Sequence, residues 1–327
     1  MSPVDDKYDA VIVGARIAGA STALLLARAG ARVALLDRSA YGSDTVSTHV
    51  LMRAGVLQLS RWGVLDQVVR AGTPPVRNTI FHYAGHDSAH VTIRPSPGVT
   101  ALYAPRRHLI DTMLVDAAAD AGVDVSHRVR VTGPVISGGR VGGVRAISAD
   151  GRDLEVRGRI VVGADGARSE VAKAVRAPVI RRGATASAFL YRYYADFPVA
   201  GYEWAYGRGA AAGMIPTNDG LTCVFVATTP ERMRLLRRDG SETAFRTLLD
   251  LAAPEHGWRA VGATVAGPLH GWAGLSGFVR RYWGPGWALV GDAGYFKDPI
   301  STHGMTDALR DAELLAGALL DGWSGEV

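Results

Sequence analysis

Two glycines and a carboxylate near the amino end have types and a spacing that suit the binding of a dinucleotide. Gly14 and Gly19 are the first and last residues of a Gly-x-x-x-x-Gly sequence, and Asp37 follows roughly 20 residues later. Glycines let the backbone approach a pyrophosphate closely, and a carboxylate at this distance accepts hydrogen bonds from an adenosine ribose. We therefore predict that these three residues bind a dinucleotide, together with the adjacent Arg38.

Arg16 departs from this glycine-rich pattern. The motif usually has a second glycine at this position, where the backbone approaches the diphosphate. The arginine side chain either points to solvent or reaches a phosphate, and the sequence leaves both open. The glycine spacing on its own would also suit an ordinary parallel sheet with a tight turn. Arg16 is counted among the predicted cofactor-binding residues.

The elements that must position these residues are a strand, a turn, a helix and a second strand. Residues 8–13 are mainly apolar and predict a strand that runs directly into the turn. Residues 20–29 are strong helix formers, and Gly30 ends that helix. Residues 32–36 form a second apolar strand that leads to the acidic residue. The start of the helix leaves free N–H groups and a partial positive charge, which attract a pyrophosphate.

Two later stretches also join a strand to a turn and a helix. In residues 159–169, an apolar strand runs into an Asp-Gly turn. In residues 288–294, a strand ends in a Gly-Asp turn, and a helix begins shortly afterwards. Taken singly, each could be a loop whose aspartates face solvent. The candidate cofactor-binding residues here are Asp165, Gly166, Gly291, Asp292, Pro299, Gly304 and Met305.

Together, the three stretches resemble those of the FAD-dependent aromatic hydroxylase family, the group A flavoprotein monooxygenases. The resemblance extends to FAD-dependent reductases of the geranylgeranyl-reductase type and covers nearly the whole chain. It implies FAD as the cofactor, with Asp165 and Gly166 near the pyrophosphate and Asp292 on the ribityl chain. It also implies that an arginine before a helix faces FAD; this is Arg107 here, with Arg106 as the alternative.

The expected fold is α/β, with a parallel, dinucleotide-binding sheet and an inserted antiparallel-sheet substrate lobe. Residues 1–77, 104–180 and 275–327 would form the discontinuous FAD-binding domain, and residues 78–103 and 181–274 the lobe. The alternation of polar and apolar residues in the inserted segments predicts strands with two distinct faces. We expect these segments to join in one sheet that covers the flavin.

The helix that begins near Gly304 would direct its amino terminus at the N1 and C2 carbonyl of the flavin. Negative charge collects there on reduction, so free N–H groups and the helix dipole stabilise the reduced form. Pro299 stiffens the loop before it. An ordinary packing helix that starts with glycine is the alternative. The chain has one dinucleotide fingerprint, so NAD(P)H is expected to bind only transiently, as the reductant.

Several residues of the inserted lobe are candidates for a substrate cavity. In the resembled family the substrate lies between such a sheet and the flavin ring, which implies a planar, aromatic or polycyclic molecule. The alternative is that these residues pack the core or a dimer face. The arginine among them would bind an acidic or phenolate substrate, or instead pair with Asp196 or Glu203. The candidates are Tyr191, Arg192, Tyr193, Trp204, Tyr206 and Met214.

Acid–base chemistry is expected at His49 and Tyr295. Residues 43–49 follow the acidic residue of the first motif and should return to the flavin edge, where Thr48 is a further cofactor candidate. The unperturbed pKa of histidine, about 6.5, suits proton transfer near neutral pH. A structural histidine with satisfied hydrogen bonds is the alternative. Tyr295 occupies the place where the resembled family usually has a histidine after its Gly-Asp turn.

These features predict an FAD-dependent monooxygenase that hydroxylates or epoxidises an aromatic or polycyclic small molecule. By resemblance, NAD(P)H reduces the flavin and O2 adds at C4a to give a hydroperoxide, from which oxygen is transferred. A reductase of the geranylgeranyl-reductase type is the first alternative. A flavin-binding protein without turnover is the second, because Val327 ends the chain earlier than is usual in the family. A halogenase is disfavoured, since the lobe has no lysine and no Trp-x-Trp pair.

Composition and charge narrow the class of protein further. The net charge is +5, but the 36 basic residues are scattered, so nucleic acid is not an expected partner. The single cysteine, Cys223, excludes an intrachain disulfide and a cysteine-based zinc site, and we expect no metal site. No secretory signal is evident, and no apolar run approaches the roughly 18 residues that span a bilayer. A cytoplasmic protein is expected, and its oligomeric state is left open.

Overall fold

The structure is a computed structural model that describes residues 8–83 and 87–325. Residues 1–7, 326 and 327 of the predicted FAD-binding domain lie outside the described residues. The strands are β1 (Tyr8–Val13), β2 (Val33–Asp37), β3 (Asn78–Tyr83), β4 (Ala89–Thr92), β5 (Asp124–His127), β6 (Arg130–Ser137), β7 (Arg140–Ile147), β8 (Asp153–Gly163), β9 (Val179–Arg182), β10 (Ala188–Ala195), β11 (Tyr202–Gly207), β12 (Ala210–Pro216), β13 (Thr222–Thr228), β14 (Thr264–Trp272), β15 (Phe278–Arg280), β16 (Trp283–Gly284), β17 (Trp287–Leu289) and β18 (Tyr295–Phe296). The helices are α1 (Ile17–Arg28), α2 (Arg53–Arg61), α3 (Leu65–Arg70), α4 (Arg107–Asp120), α5 (Glu170–Ala174), α6 (Pro230–Leu236), α7 (Ser241–Ala252), α8 (Pro254–Gly262) and α9 (Gly304–Ser324).

The first sheet is built around β1, which lies between β2 and β8 and pairs with both in parallel. Its order is β16-β17-β8-β1-β2-β5, and β7 and β6 extend it by antiparallel pairing to the first part of β8. Ala10, Val11 and Ile12 of β1 are fully buried, because other elements cover both faces of the sheet. The predicted parallel sheet is therefore confirmed. Helix α1 packs beside it and contacts both α4 and α9.

The second sheet has the order β14-β10-β13-β12-β11-β3-β4. Its neighbouring strands run antiparallel, as predicted, except that β3 joins β11 in parallel. This exception arises because β3 comes from a separate segment of the chain and is not tied to β11 by a hairpin. A tight turn does join β12 to β13, and Asp219 and Gly220 there have positive φ angles of 63° and 67°. A small third sheet has the order β18-β15-β9.

The two faces of the second sheet pack against different parts of the molecule. Phe189, Tyr191 and Tyr193 of β10 share a core with α1, α4 and α9, and we call this side the inner face. Leu190 and Tyr194 pack in a separate cluster with α7, on the side that we call the outer face. Adjacent residues of β10 belong to different packing clusters because successive side chains of a strand point to opposite sides of the sheet. Among residues 8–83 and 87–325, no helix is long and apolar enough to cross a bilayer.

Alanine at residue 309 tests how α9 packs against the rest of the chain. Leu309 is fully buried, so Leu309→Ala leaves a cavity and should lower the free energy of unfolding by about 2–5 kcal/mol. Leu314, on the same helix, is 65% exposed, and Leu314→Ala should change it by less than about 0.5 kcal/mol. Urea denaturation measures both variants, and an equal loss for the two would contradict the packing described here.

Candidate active site

A cavity of about 1180 Å³ lies between the carboxyl ends of the parallel strands and the inner face of the second sheet. The turns after β1 and β8 line this central cavity, as do the end of β2 and the first residues of α9. Pockets for drug-sized ligands usually have roughly 300–1,000 Å³. The central cavity is therefore large enough for an extended cofactor, and it lies where ligands of α/β sheets usually bind.

Backbone atoms of two turns are in close contact at one side of the cavity. Gly14 has a φ of 108°, and a Cβ added to it would lie 2.5 Å from the carbonyl oxygen of Ala164. A Cβ on Gly19 would lie 1.8 Å from the carbonyl oxygen of Gly14. Only glycine fits at either position. The first and last glycines of the motif therefore hold the start of α1 against the turn that follows β8.

Two helix amino termini border the same cavity. Ile17 and Ala18 of α1 line it, as do Gly304 and Met305 of α9. Neither helix has a side-chain hydrogen bond at its N-cap residue. The first N–H groups of a helix have no partner within the helix, and they carry a partial positive charge. The pair suits a ligand that has a pyrophosphate and a second group with negative charge.

The side chain of Arg16 is held by a carboxylate that the sequence analysis did not select. Its Nη1 donates to Asp111 Oδ2 at 2.9 Å, and its Nη2 donates to Ser43 Oγ at 2.9 Å. Arg107 donates from Nη2 to both oxygens of Asp111, each at 3.1 Å. Buried Asp111 thus holds both arginines beside the cavity. The i,i+4 spacing of Arg107 and Asp111 on α4 is the sequence signal for part of this cluster.

Asp37 and Asp165 each cap a turn and border the cavity. The two oxygens of Asp37 accept hydrogen bonds from the N–H groups of Ala15 and Ser39, each at 2.6 Å. Asp165 Oδ2 accepts from Glu170 N at 2.7 Å, whereas its Oδ1 is buried and has no hydrogen-bond partner among the described residues. A buried acceptor without a partner is costly, so it suits a ligand that donates a hydrogen bond.

The third predicted turn brings Asp292 to the cavity. Gly291 has a φ of 58°, and a Cβ there would lie 2.9 Å from the Cβ of Ala18, so this turn packs on the start of α1. Burial raises the pKa of Asp292 to about 6, and the charge of Arg107 only partly opposes that rise. The cavity is also lined by four more predicted cofactor residues, Arg38, Thr48, Gly166 and Pro299. These donors, acceptors and glycine contacts fit FAD.

His49 lines the cavity and forms a buried pair with Tyr193. Its Nε2 lies 2.5 Å from the hydroxyl oxygen of Tyr193, and its backbone has a positive φ of 66°. The guanidinium carbon of Arg106 is 4.2 Å from the centre of the Tyr193 ring. Burial lowers the pKa of His49 to about 3, with a further contribution from Arg107, and burial raises the pKa of Tyr193 well above its usual value. Both groups are therefore neutral near pH 7.

One wall of the cavity is aromatic. Phe189 and Tyr191 of β10 line it together with Trp272 and Phe296. The Tyr191 ring stacks on His270 with the ring centres 4.9 Å apart, and its hydroxyl accepts a hydrogen bond from Ser47 N at 3.4 Å. The indole nitrogen of Trp272 is buried without a hydrogen-bond partner among the described residues. We call these four residues the aromatic wall; only Tyr191 was selected from the sequence.

Two of the predicted substrate residues lie on the outer face, away from the cavity. Arg192 forms an ion pair with Glu242 of α7, and not with Asp196 or Glu203. Met214 is fully buried in the cluster beneath α7. Both predictions were wrong for the same reason. Both residues were selected for their chemical type, although the alternation of side chains along β10 places Arg192 on the face opposite Tyr191 and Tyr193.

Four further candidates do not line the cavity. Tyr193 is connected to it through the hydrogen bond with His49. Trp204 is on the inner face but packs between Tyr202 and Phe225 in the core. Tyr206 is 39% exposed and stacks on Tyr83. Tyr295 precedes Phe296 in the two-residue strand β18, and its ring centre lies 5.5 Å from Nζ of Lys297, which does line the cavity. Trp204 and Tyr206 lie on β11, which is separated from β10 by two strands.

Alanine at residue 19 tests the contact between the turns. Because the added methyl group would lie 1.8 Å from Gly14 O, the turn must shift, and Gly19→Ala should weaken FAD binding at least ten-fold, or about 1.4 kcal/mol. Gly317→Ala is the matched control, since a Cβ at this helical glycine meets nothing within 4 Å. Fluorescence titration of FAD into FAD-free protein measures both affinities. Similar affinities for the two variants would count against this arrangement.

A second experiment tests the burial of neutral His49. The folded-state pKa of about 3 lies below the unfolded value of about 6.5, so the unfolded chain binds an extra proton between them. Stability should therefore fall as the pH drops from about 6.5 toward 3. In His49→Gln this fall should be shallower, by up to about 1.4 kcal/mol per pH unit. Urea denaturation of FAD-free protein at several pH values measures it. Exposed His90→Gln is the control, and a wild-type slope in His49→Gln would disprove the burial.

Comparison with known proteins gives relatives of several kinds. Digeranylgeranylglycerophospholipid reductase 1 of Methanococcoides burtonii is 26% identical over 335 residues, which cover 95% of this chain and 74% of the reductase. The 6-methylpretetramide 4-monooxygenase of Streptomyces rimosus is 26% identical over 355 residues, which cover 98% of this chain and 77% of the monooxygenase. A myxobacterial chondrochloren halogenase, an FAD-dependent enzyme of known structure, has a TM-score of 0.87 at 26% identity and covers 98% of this chain and 76% of its own.

These similarities extend over the elements that form the site. The relatives align with 95–98% of this chain. The sequence profile of the family described as FAD binding domain matches residues 7–326. The match agrees with the glycine contacts, the paired helix termini and the unpartnered acceptor of the cavity. The chain therefore belongs to the FAD binding domain family, and it is an FAD-dependent enzyme.

Proposed function

We propose that this protein is a monooxygenase that uses FAD, NAD(P)H and O2 to hydroxylate or epoxidise an aromatic or polycyclic small molecule. The observation that carries the proposal is the aromatic wall, which lines the same cavity as the cofactor-binding turns. Aromatic rings that meet in offset or edge-to-face contact gain about 0.5–1.5 kcal/mol beyond the burial of area. A planar substrate against this wall would therefore be held next to the cofactor.

The proposal keeps the division of the chain that the sequence analysis expected. Residues 78–103 and 181–274 would act as the substrate lobe, and the rest as the FAD-binding domain. The second sheet supports this, because β3 and β4 come from the first of these segments and β10 to β14 from the second. The cytoplasm is the proposed location, supported by Cys223, which is free and buried.

FAD supplies the redox chemistry when it is bound, since it can take electrons from NAD(P)H and activate O2. The chain would contribute binding, orientation and the exclusion of water. The amino terminus of α9 would stabilise negative charge on the reduced cofactor through its free N–H groups. The aromatic wall would keep water from the reacting atoms and align the substrate ring, which lowers the entropic part of the barrier.

His49 would orient a polar group of the substrate. Its Nε2 is already bonded to Tyr193, whereas its Nδ1 is buried and has no hydrogen-bond partner among the described residues. The imidazole lines the cavity and stays neutral, so Nδ1 can donate or accept one hydrogen bond according to the tautomer. A phenolic hydroxyl of the substrate would satisfy this nitrogen. In that position the neutral imidazole would orient the phenolic hydroxyl through this hydrogen bond, while Tyr193 fixes the ring from the other side.

A reductase is the second candidate function, because the Methanococcoides burtonii relative is named as one and the Streptomyces rimosus relative as a monooxygenase. We rank oxygen insertion first because the aromatic wall lines the same cavity as the cofactor turns, which favours a planar ring over a flexible aliphatic chain. The two reactions differ in their need for O2 and in the fate of its atoms.

The fate of isotopically labelled O2 tests the proposal. FAD-loaded protein is mixed with NADH or NADPH and a panel of phenols and polycyclic aromatic compounds, and products are identified by mass spectrometry. We expect substrate-dependent oxidation of NAD(P)H and a product that carries one labelled oxygen atom. Reduction of a substrate carbon–carbon double bond without O2 would instead establish the reductase. No substrate-dependent oxidation across the panel would favour a flavin-binding protein without turnover.

Two substitutions at Tyr191 test the role of the aromatic wall. Tyr191→Ala removes the ring and should raise KM at least ten-fold, or about 1.4 kcal/mol. Tyr191→Phe keeps the ring and loses only the hydroxyl that accepts from Ser47, so its KM should change less than about three-fold. FAD affinity should be unchanged in both. Steady-state kinetics with the identified substrate measure the effect, and the proposal fails if the two variants behave alike.

A further inference from the structure

The outer face of the second sheet carries two imidazoles and a carboxylate that the proposed function does not use. His82 lies on β3, Glu203 on β11 and His256 on α8. Glu203 pairs across the sheet with Met214, and His82 pairs with Ala205; both of these neighbours belong to the outer cluster. The three residues are far apart in sequence, and no spacing motif links them. They converge only because α8 packs on this part of the sheet.

The distances from Glu203 to the two imidazoles are close to those between the ligands of a tetrahedral metal ion. Glu203 Oε2 is 2.9 Å from His256 Nε2 and 3.2 Å from His82 Nε2, and one ligand atom of each residue lies within 4.8 Å of the others. Two ligands that are each about 2.0–2.1 Å from zinc are about 3.3–3.4 Å apart at the tetrahedral angle. The two distances to Glu203 Oε2 are within a few tenths of an ångström of this value, and the two imidazole nitrogens lie within 4.8 Å of each other.

A second carboxylate lies where the outer hydrogen-bond partner of metal-bound histidines is usually found. Glu255 Oε1 is 3.3 Å from His82 Nδ1 and 3.8 Å from His256 Nδ1, and Ser88 Oγ is 2.9 Å from His82 Nδ1. Metal-bound histidines commonly direct their other ring N–H to a carboxylate. The N–H of Ala200 donates to Glu203 Oε1 at 3.1 Å, which leaves Oε2 directed at both imidazoles.

The positions of the ring protons favour a cation at this place. If both histidines were neutral and donated from Nε2 to Glu203, His82 Nδ1 could accept from Ser88 Oγ at 2.9 Å. His256 Nδ1, however, would be a buried acceptor without a hydrogen-bond partner among the described residues, 3.8 Å from the Glu255 carboxylate. If Nε2 binds a cation, each Nδ1 carries the proton and can donate toward that carboxylate instead.

We propose that His82, Glu203 and His256 bind one divalent transition-metal ion of the zinc class. The ligands are His82 Nε2, His256 Nε2 and the Glu203 carboxylate, a nitrogen and oxygen set that zinc binds readily. A water molecule completes the tetrahedron from the side of the partly exposed His82. The ion joins α8 to β3 and β11, and it stabilises the lobe without contact with the central cavity.

Zinc binding to the holoenzyme tests this site. FAD-loaded protein without an affinity tag is treated with EDTA, dialysed and titrated with Zn²⁺ by calorimetry. We expect one ion per chain and a melting temperature that rises with zinc concentration, because the ion binds only the folded state. X-ray absorption at the zinc edge should show two imidazoles and oxygen ligands at about 2.0–2.1 Å. Absence of stoichiometric binding by the wild-type protein overturns the proposal.

Variants separate this site from adventitious binding. Glu203→Gln removes the charge and keeps the shape, and His82→Asn with His256→Asn removes both nitrogens; each should weaken zinc binding at least ten-fold. His90→Asn, which replaces an exposed histidine of β4 in the same sheet, should bind zinc like the wild type. Unchanged affinity in the folded ligand variants overturns the proposal. If those variants do not fold, the wild-type absorption spectrum decides the ligands. Flavin absorbance, recorded in parallel, reports the FAD site independently.

Discussion

The close backbone contact between the turns after β1 and β8 is the constraint on which the rest of the site depends. Gly14 and Gly19 leave no space for a Cβ against each other and against Ala164. The contact fixes the start of α1 relative to the neighbouring strand. Gly291 then packs on Ala18, so the third turn is attached to the same point. Three segments from distant parts of the sequence are thereby held around one cavity by contacts that only small residues allow.

The electrostatics of the cavity follow from this packing. Two helices begin at the cavity without side-chain caps, and their N–H groups provide positive potential. Arg16 adds further positive charge where most dinucleotide turns have glycine, but Asp111 holds its guanidinium beside the turn together with that of Arg107. The missing glycine is therefore tolerated, because the side chain lies along the wall and is anchored there. Hydrogen-bond donors and positive potential are therefore concentrated at one side of the cavity, where they suit a cofactor that carries phosphates.

The second sheet separates two kinds of chemistry by the direction of its side chains. Tyr191 and Tyr193 belong to the inner face of the sheet, which packs toward the FAD-binding elements. Arg192, between them, belongs to the outer face and forms an ion pair with α7. On β11, Glu203 points outward to two histidines, whereas its neighbours Tyr202 and Trp204 pack inward. A shift of the strand register by one residue would exchange the side chains of the inner face with those of the outer face. The aromatic cavity and the polar outer cluster thus share strands but have separate environments.

The amino-acid sequence by itself determined the parallel sheet, the three glycine or aspartate turns and the FAD family. Each depends on local features, namely apolar runs, helix formers and glycines at fixed offsets, which act within a few residues. The tertiary structure alone decided which side chains meet across the cavity. Asp111 between two arginines, the aromatic wall and the outer cluster of His82, Glu203 and His256 join residues from different elements. Arg192 and Met214 were assigned to the cavity by chemical type, whereas strand alternation and sheet order determine where each side chain points.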